Sequence, residues 1–309
     1  MICKISIFQA DKYRAVFASL CALGWSLAYP LIKIGYQEFH IASDDLGGKI
    51  LFAGIRFFLA GVFVSLFCGA RRIPLELQRK RDLWWLVLLA VFNTALRYMF
   101  TYIGLGFNPS SRSTILDSMS GFILIIISTI IFADDRMTSQ KIIGILLGLV
   151  GIISINIQPG VDFFADITLR GDGMILLNAF CGAIGGVITR VVSQKMNIMQ
   201  ATGLSMQLGG GIMIATGIII GLNNPWTVSA RGVLVLLALI AISAVCFAVY
   251  NELLAYHPIS KVAIYNALIP VLGVIFASLI LHERLRIQYF VAVAFVAAGI
   301  YLVNRASTQ

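Results

Sequence analysis

The 309-residue chain is too apolar and too poor in charged residues to be a water-soluble protein. Its apolar share is 59%, its charged share is 12% and its mean hydropathy is +0.92, whereas soluble domains carry about a quarter charged residues to wet their surface. The formal net charge of +9 does not indicate a nucleic-acid partner, because basic residues gather in the cytoplasmic loops of membrane proteins.

Ten apolar stretches follow one another along the chain, each close to the roughly 17 to 25 residues that cross a hydrocarbon core. We number them 1 to 10: Ala15–Ile34, Ile50–Gly69, Leu83–Leu105, Ser113–Phe132, Ile142–Ile157, Gly173–Val192, Met199–Leu222, Gly232–Leu254, Ala263–Leu281 and Tyr289–Val303. The sequence therefore predicts an all-α integral membrane protein with ten transmembrane helices. Its predicted partners include the lipid bilayer that surrounds these helices.

The loops between these stretches predict the orientation. Loops on the side of the N-terminus hold roughly twice as many Lys and Arg residues as loops on the other side, and the basic side faces the cytoplasm. We expect a multi-pass protein of the cell (plasma or inner) membrane with both termini cytoplasmic.

The two halves of the chain repeat each other. The stretches from Pro109 and from Pro258 match in nearly one register. The matched residues are Pro109, Ser111, Ile115, Ile131, Arg136, Gln140, Gly151, Ile152 and Asn156, opposite Pro258, Ser260, Ile264, Ile280, Arg284, Gln288, Gly299, Ile300 and Asn304. Five helices are an odd number, so the second copy enters from the opposite side. The predicted domains are two inverted five-helix repeats, 14–157 and 172–304.

A doubled ending carries a family resemblance: an apolar helix leads into Asp135-Arg136 or Glu283-Arg284, then a Gln, then a Gly-rich helix. This pattern resembles the EamA repeat of the drug/metabolite transporter superfamily. Trp25, Lys33, Arg56 in "GIRFFLAG" and Pro270 also fit it, whereas Gly121 replaces the proline usual in helix 4. The resemblance implies a metabolite carrier, more often an exporter, with a cavity lined by helices 1, 3, 4, 6, 8 and 9.

Two charges deep in the predicted helices are candidate site residues, because ionisable groups inside a bilayer are costly and often functional. Arg97 lies near the middle of helix 3 and Asp117 a little over one turn into helix 4. One interpretation is a structural ion pair, and another is a substrate site in which Asp117 accepts a proton or an amine and Arg97 binds a carboxylate or phosphate. A third interpretation combines the two: Arg97 and Asp117 form an ion pair that opens when the substrate binds.

Helix breakers at matching positions of inverted repeats point to a midplane site. Pro30 roughly matches Gly185, and Gly121 matches Pro270, so these four residues are predicted hinges, although Gly and Pro are also common in ordinary membrane helices. The remaining predicted substrate-binding residues surround them, and packing would explain each equally well: Trp25, Tyr29, Tyr98, Tyr250, Tyr265 and Asn266. Lys33, Arg56 and Arg190 are interpreted as snorkelling side chains near helix ends.

The motifs of enzymes and ATP-driven pumps are missing. No G-x-x-x-x-G-K-[ST] loop occurs, His282-Glu283 lacks the second histidine of a zinc protease, and five cysteines form no C-x-x-C pair. The sequence thus predicts no cofactor, no metal and no catalytic residue. It favours a secondary transporter of a small organic metabolite, such as an amino acid or related zwitterion, by alternating access. The alternative is a channel-like or lipid-translocating protein, and substrate identity, direction, proton coupling and oligomeric state stay open.

Overall fold

The structure is a computed structural model that describes residues 7–77, 79–108, 110–156, 168–223, 225–226, 228–281 and 287–305. Within these ranges the chain forms ten long helices and no strands. The helices are α1 (Asp11–Glu38), α2 (Leu46–Ala70), α3 (Lys80–Phe107), α4 (Ser110–Ile131), α5 (Ser139–Asn156), α6 (Leu169–Ser193), α7 (Ile198–Ile220), α8 (Ala230–Tyr256), α9 (Ile259–Ala263 and Leu268–Leu281) and α10 (Ile287–Arg305). The all-α prediction is confirmed.

Seven of the helices in the described ranges are long and apolar enough to cross a membrane: α1, α2, α3, α6, α7, α8 and α9. The other three contain shorter apolar stretches, Leu116–Ile131, Ser139–Gly151 and Val293–Arg305. Several helices extend beyond their predicted spans, as α1 does at both ends, because hydropathy marks only the part in hydrocarbon and the helix continues into the polar interface. Glu283 and Arg284 lie outside the described residues.

The contacts between helices stay the same when the two halves of the chain are exchanged. α1 packs against α8 and α9, and α6, the equivalent of α1, packs against α3 and α4. The equivalent helices α2 and α7 pack against each other, and so do α5 and α10. The first and second sets of five helices therefore make the same contacts with each other.

The glycines between α2 and α7 show that the second copy is inverted. Gly47, Gly54 and Gly61 of α2 approach the backbone of Gly217, Gly210 and Gly203 of α7. Residue numbers rise along one helix while they fall along the other, so these equivalent helices run antiparallel. The same order holds for α5 and α10, where Gly144 and Gly148 both lie against Gly299 and Gly144 also meets Val303.

Gly210 allows α2 and α7 to pack backbone to backbone. A Cβ atom at Gly210 would lie 2.4 Å from the Phe58 nitrogen, whereas a Cβ atom at the next residue, Gly211, would meet nothing within 4 Å. We therefore expect Gly210→Ala to lower the free energy of unfolding of the purified protein by about 1–3 kcal/mol, because the two helices must move apart. The melting temperature should fall accordingly. The matched Gly211→Ala should leave the melting temperature unchanged, and equal melting curves for the two variants would contradict this packing.

Two helices are irregular near the centre of the bundle. α3 contains a π-helical segment, Ala90–Leu96, directly before Arg97. α9 contains a 3₁₀ turn, Ile264–Ala267, shortly before Pro270. Such π segments are frequent at functional sites, and a proline leaves the carbonyl four residues earlier, here that of Asn266, without its helical donor.

Candidate functional site

A polar cavity lies inside the bundle where helices of both repeats meet. Its lining includes five of the eight predicted substrate-binding residues, Trp25, Tyr29, Arg97, Tyr98 and Asp117. The rest of the lining consists of Ala28, Ile32, Arg56, Thr101, Asn178 and Ile269. Sequence positions in α1, α2, α3, α4, α6 and α9 thus converge on one site.

Asp117 is held by two neutral donors. The Tyr29 hydroxyl donates a hydrogen bond of 2.7 Å to one carboxylate oxygen, and Asn178 Nδ2 donates to the other. Among the ion pairs between described residues, none joins Asp117 to Arg97, although both side chains line the cavity. The carboxylate is therefore fixed in place by neutral groups, and no cation within the described ranges bonds to it directly.

Arg97 is half-buried and has few hydrogen-bond partners among the described residues. Its Nη1 lies at a long 3.5 Å from Asn93 Oδ1, and its guanidinium lies 5.4 Å from the centre of the Tyr98 ring. Its Nε atom is buried and has no hydrogen-bond partner in the described part of the chain. Gly182 of α6 makes room for it, since a Cβ atom there would lie 3.0 Å from the guanidinium carbon. The group is positioned by packing and keeps donors free for an anionic group.

Arg56 contributes a second cation to the cavity. It is 1% exposed, and its Nε donates to Ser243 Oγ at 2.7 Å and to the Leu239 carbonyl at 3.2 Å, while Nη1 donates to the Tyr102 hydroxyl at 2.8 Å. The interpretation of Arg56 as a snorkelling residue is wrong. α2 begins at Leu46 rather than Ile50, so Arg56 lies well inside the helix and points into the bundle.

A second small cavity adjoins the first. Trp25 and Arg97 line both, so these two side chains stand where the cavities meet. Tyr250 and Asn266 line the second cavity, and Asn266 Nδ2 donates to the Tyr250 hydroxyl at 2.9 Å. The other lining residues are Asn93, Ser120, Leu124, Gly182, Gly186, Phe247, Asn251 and Leu254. Tyr265 is buried but lies outside the lining of either cavity.

Each of the four predicted hinge residues is next in sequence to a residue that lines one of these cavities. Pro30 follows the lining residue Tyr29, and Pro270 follows the lining residue Ile269. A Cβ atom on Gly121 would lie 3.0 Å from the Ala263 carbonyl at the 3₁₀ turn of α9, and one on Gly185 would lie 2.8 Å from Asn93 in the π segment of α3. The two glycines thus touch the irregular turns, and their role as hinges stays a prediction.

Polar contacts close the bundle at the membrane face where α1 begins, which we call the N-terminal face. His257, at the end of α8, places Nε2 2.8 Å from the Phe8 carbonyl. Burial is the largest influence on the pKa of His257 and lowers it, which favours the neutral ring. Asp135, after α4, accepts a 2.7 Å hydrogen bond from the Ser260 backbone nitrogen at the start of α9. The Asp135 contact joins one repeat to the other, and the His257 contact joins the second repeat to the segment that precedes α1.

Equivalent contacts close the opposite face. Asn108, at the end of α3, donates to Asp172 at 3.2 Å and accepts a 2.7 Å hydrogen bond from Lys33 through its carbonyl. Arg190 makes the corresponding bond on the N-terminal face, donating to the His257 carbonyl at 3.3 Å. Lys33 and Arg190 thus bond to the ends of neighbouring helices, where snorkelling to the headgroups was expected.

The cavity between these closures is small. The volume around Asp117 is about 30 Å³, and that of the adjoining cavity is about 10 Å³, where a single water molecule needs about 10–15 Å³ of such space. An amino acid is several times larger. A ligand of that size therefore fits here only if the lining helices separate.

Sequence reasoning missed several polar residues of the site. Asn178, Asn93, Asn251 and Thr101 line the cavities, but isolated amides and hydroxyls are common in membrane helices and these four were not singled out. Only their position deep inside the helices could have identified them as site residues from the sequence. Buried polar atoms without a hydrogen-bond partner among the described residues include Trp25 Nε1, Arg97 Nε and Asn178 Oδ1.

Comparison with known proteins agrees with this architecture. The sequence is 24% identical to the uncharacterized transporter YvbV of Bacillus subtilis over 97% of this chain and 94% of that protein. It is 22% identical to the probable amino-acid metabolite efflux pump of Escherichia coli over 94% and 95%. A solved crystal structure with 15% identity superposes with a TM-score of 0.72 over 92% of this chain and 95% of its own, which shows the fold.

The family profile matches both halves of the chain. The description of the profile is the EamA-like transporter family, and the matched residues are 13–157 and 169–305. These two matches cover nearly every helix described above. The relatives and the family are transporters and not enzymes. Together with its long apolar helices, this makes the chain a multi-pass membrane protein with a small-molecule substrate. The chain belongs to the EamA-like transporter family.

Proposed function

We propose that this protein is a secondary transporter that exports a small zwitterionic metabolite, an amino acid or a close derivative, by alternating access. The observation that carries the proposal is the small cavity that Arg97 and Asp117 both line, where the side-chain hydrogen bonds of the two groups within the described part of the chain go to neutral partners. A substrate ammonium group would bind at Asp117 and a substrate carboxylate at Arg97. Arg56 also lines the cavity but is bonded to Leu239, Ser243 and Tyr102, so Arg97 and Asp117 are the two charges that match the two ends of an amino acid.

The aromatic lining supports a substrate with an apolar part. Trp25 packs edge to face against Tyr250 and Phe247, with ring centres 4.9 and 5.6 Å apart. Such a wall accepts an apolar side chain while the polar groups fix its orientation. Export of an amino-acid derivative also agrees with the names of the Escherichia coli and Salmonella typhimurium relatives, which are probable amino-acid metabolite efflux pumps.

The closures at both faces support alternating access rather than an open pore. Each joins the two repeats, so breaking one set while keeping the other would open the cavity to one side at a time. The substrate gradient or a proton gradient would supply the energy. The basic N-terminal face would lie in the cytoplasm of a cell or inner membrane, which makes both termini cytoplasmic.

Reconstituted protein tests the proposal. Proteoliposomes would be given a panel of radiolabelled amino acids and their derivatives, with and without a pH gradient. We expect saturable flux of one substrate or a small group, and a change in rate with the gradient identifies proton coupling. Absence of flux across the panel, for protein that elutes as a folded species, would contradict the proposal.

A further inference from the structure

A short turn before α1 covers the end of α8 at the N-terminal face. Ile7–Gln9 forms this 3₁₀ turn, and the Phe8 ring packs against Phe17 of α1 with ring centres 5.2 Å apart. The Phe8 carbonyl lies 2.8 Å from Nε2 of His257, the residue after α8. The turn leads into the first repeat and His257 belongs to the second, so this contact must break when the two parts separate at this face. We call Ile7–Gln9 the N-terminal latch.

His257 holds the N-terminal latch as a neutral ring. A carbonyl oxygen only accepts hydrogen bonds, so Nε2 carries the hydrogen that is donated to Phe8. In a neutral ring Nδ1 then has no hydrogen, although it lies 3.5 Å from the Asp11 carboxylate. Burial of the ring is the largest influence on the pKa of His257, and this pKa lies below its usual value of 6.5. One hydrogen bond from a buried neutral group therefore closes the latch at neutral pH.

The charges around His257 also disfavour a protonated ring. Among the described residues, the charged groups that act on it are Arg14, Asp11 and Arg190. Arg14 and Arg190 are cations whose side chains are only 12% and 14% exposed, and Arg190 also donates to the His257 carbonyl. The Asp11 side chain is 82% exposed and already paired with Arg14, so it attracts an imidazolium only weakly. Burial and the two arginines outweigh Asp11 and the bond to Phe8, which both favour the proton.

We propose that His257 makes the N-terminal latch a pH-sensitive switch, which is closed at neutral pH and released in acid. The N-terminal face then opens more readily when the solution on that side is acidic. In the released form the ring is in water, where its pKa is about 6.5. Since the pKa is lower in the closed form, the ring stabilises closure at high pH, and this contribution is lost as the pH falls. Between the two pKa values, the ratio of released to closed latch rises up to about tenfold per pH unit.

A spin label on the latch tests the switch directly. The full chain in phosphatidylcholine nanodiscs would carry the label at an introduced cysteine, Gln9→Cys, whose position is exposed. Cys3→Ser removes the native cysteine nearest to the label, and the four cysteines of the helices are buried. We expect the electron paramagnetic resonance spectrum to show an immobile label at about pH 7.5 and a growing mobile fraction down to about pH 5. The measurement needs no substrate, so it stands apart from the transport assay.

Three variants in this labelled background separate His257 from other acid effects. His257→Gln keeps a neutral N–H donor for the Phe8 carbonyl but cannot take up a proton, so the label should stay immobile at every pH. Arg14→Gln removes a cation near the ring, so release should begin about half a pH unit or more higher. His40→Asn removes an exposed histidine after the other end of α1, where asparagine tolerates the φ of 55°, and should keep the wild-type response.

Three results would overturn the proposal. The first is a label whose mobility does not change with pH when His257 is present. The second is an unchanged acid response in His257→Gln, which would assign the release to other groups. The third is release at lower pH in Arg14→Gln, which would mean that the charges around the ring favour its protonation. Because Arg14→Gln keeps the histidine, its shift still decides the question if His257→Gln does not fold.

Discussion

Transport is expected to fall by about 100-fold or more in Asp117→Asn and in Arg97→Ala, while both variants insert into the membrane and elute as folded protein. Asp117→Asn keeps a side chain of the same shape for Tyr29 and Asn178 but removes the negative charge proposed to bind a substrate amine. Arg97→Ala removes the cation with free donors proposed to bind the carboxylate. Uptake of labelled substrate into proteoliposomes measures both losses.

Two comparisons separate a role in binding from a role in folding. Arg231→Ala removes an arginine whose side chain is 72% exposed, outside the cavity, and should transport normally. Arg97→Lys keeps the charge but loses the planar fork that binds a carboxylate through two hydrogen bonds, so we expect it to stay impaired. Full transport by both Asp117→Asn and Arg97→Ala would remove these residues from the site.

Asp135→Asn is expected to destabilise the folded protein by about 3–5 kcal/mol. Asp135 and Lys141 form a 2.7 Å ion pair in which each side chain is 1% exposed. Asp135 also accepts hydrogen bonds from Ser128 Oγ at 3.0 Å and from the backbone of Ser260. An amide at this position leaves the Lys141 cation buried without a counter-charge, which is the costly part of breaking such a pair.

A neighbour and a double variant serve as controls for Asp135. Asp134→Asn removes the adjacent carboxylate, whose side chain is 52% exposed in its pair with Arg190, and should change the melting temperature little. Adding Lys141→Met to Asp135→Asn should recover part of the stability, because the unpaired cation is gone. Unfolding of detergent-solubilised protein measures each step. An unchanged melting temperature in Asp135→Asn would show that the pair contributes little.

Most of the fold can be predicted from the sequence, because a helix that crosses the bilayer must be a long apolar stretch. Ten apolar stretches, matched residues in the two halves and an odd helix number are enough to predict the inverted repeat that the antiparallel glycine contacts of α2 and α7 display. The irregular turns were not predictable. Nothing in Ala90–Leu96 marks a π segment, since its conformation depends on Gly209 and Gly185 packing against it.

The site was predictable as a set of deep polar residues but not as a set of contacts. The short α3–α4 linker brought Arg97 and Asp117 to neighbouring depths, and both line the cavity. Their partners depend on how each helix rotates about its axis, which sequence spacing alone does not specify. Asp117 is therefore bonded to Tyr29 and Asn178, and Arg56 turns inward to Ser243.

Counterflow is the measurement that tests the carrier most directly. Proteoliposomes would be loaded with unlabelled substrate and diluted into a trace of labelled substrate, with no ion gradient. A carrier that alternates around one occluded site should accumulate label transiently above its equilibrium level, because unlabelled molecules leaving the vesicle return the site to the outside. Label that rises only to equilibrium, at the same rate in loaded and empty vesicles, would contradict alternating access through this cavity.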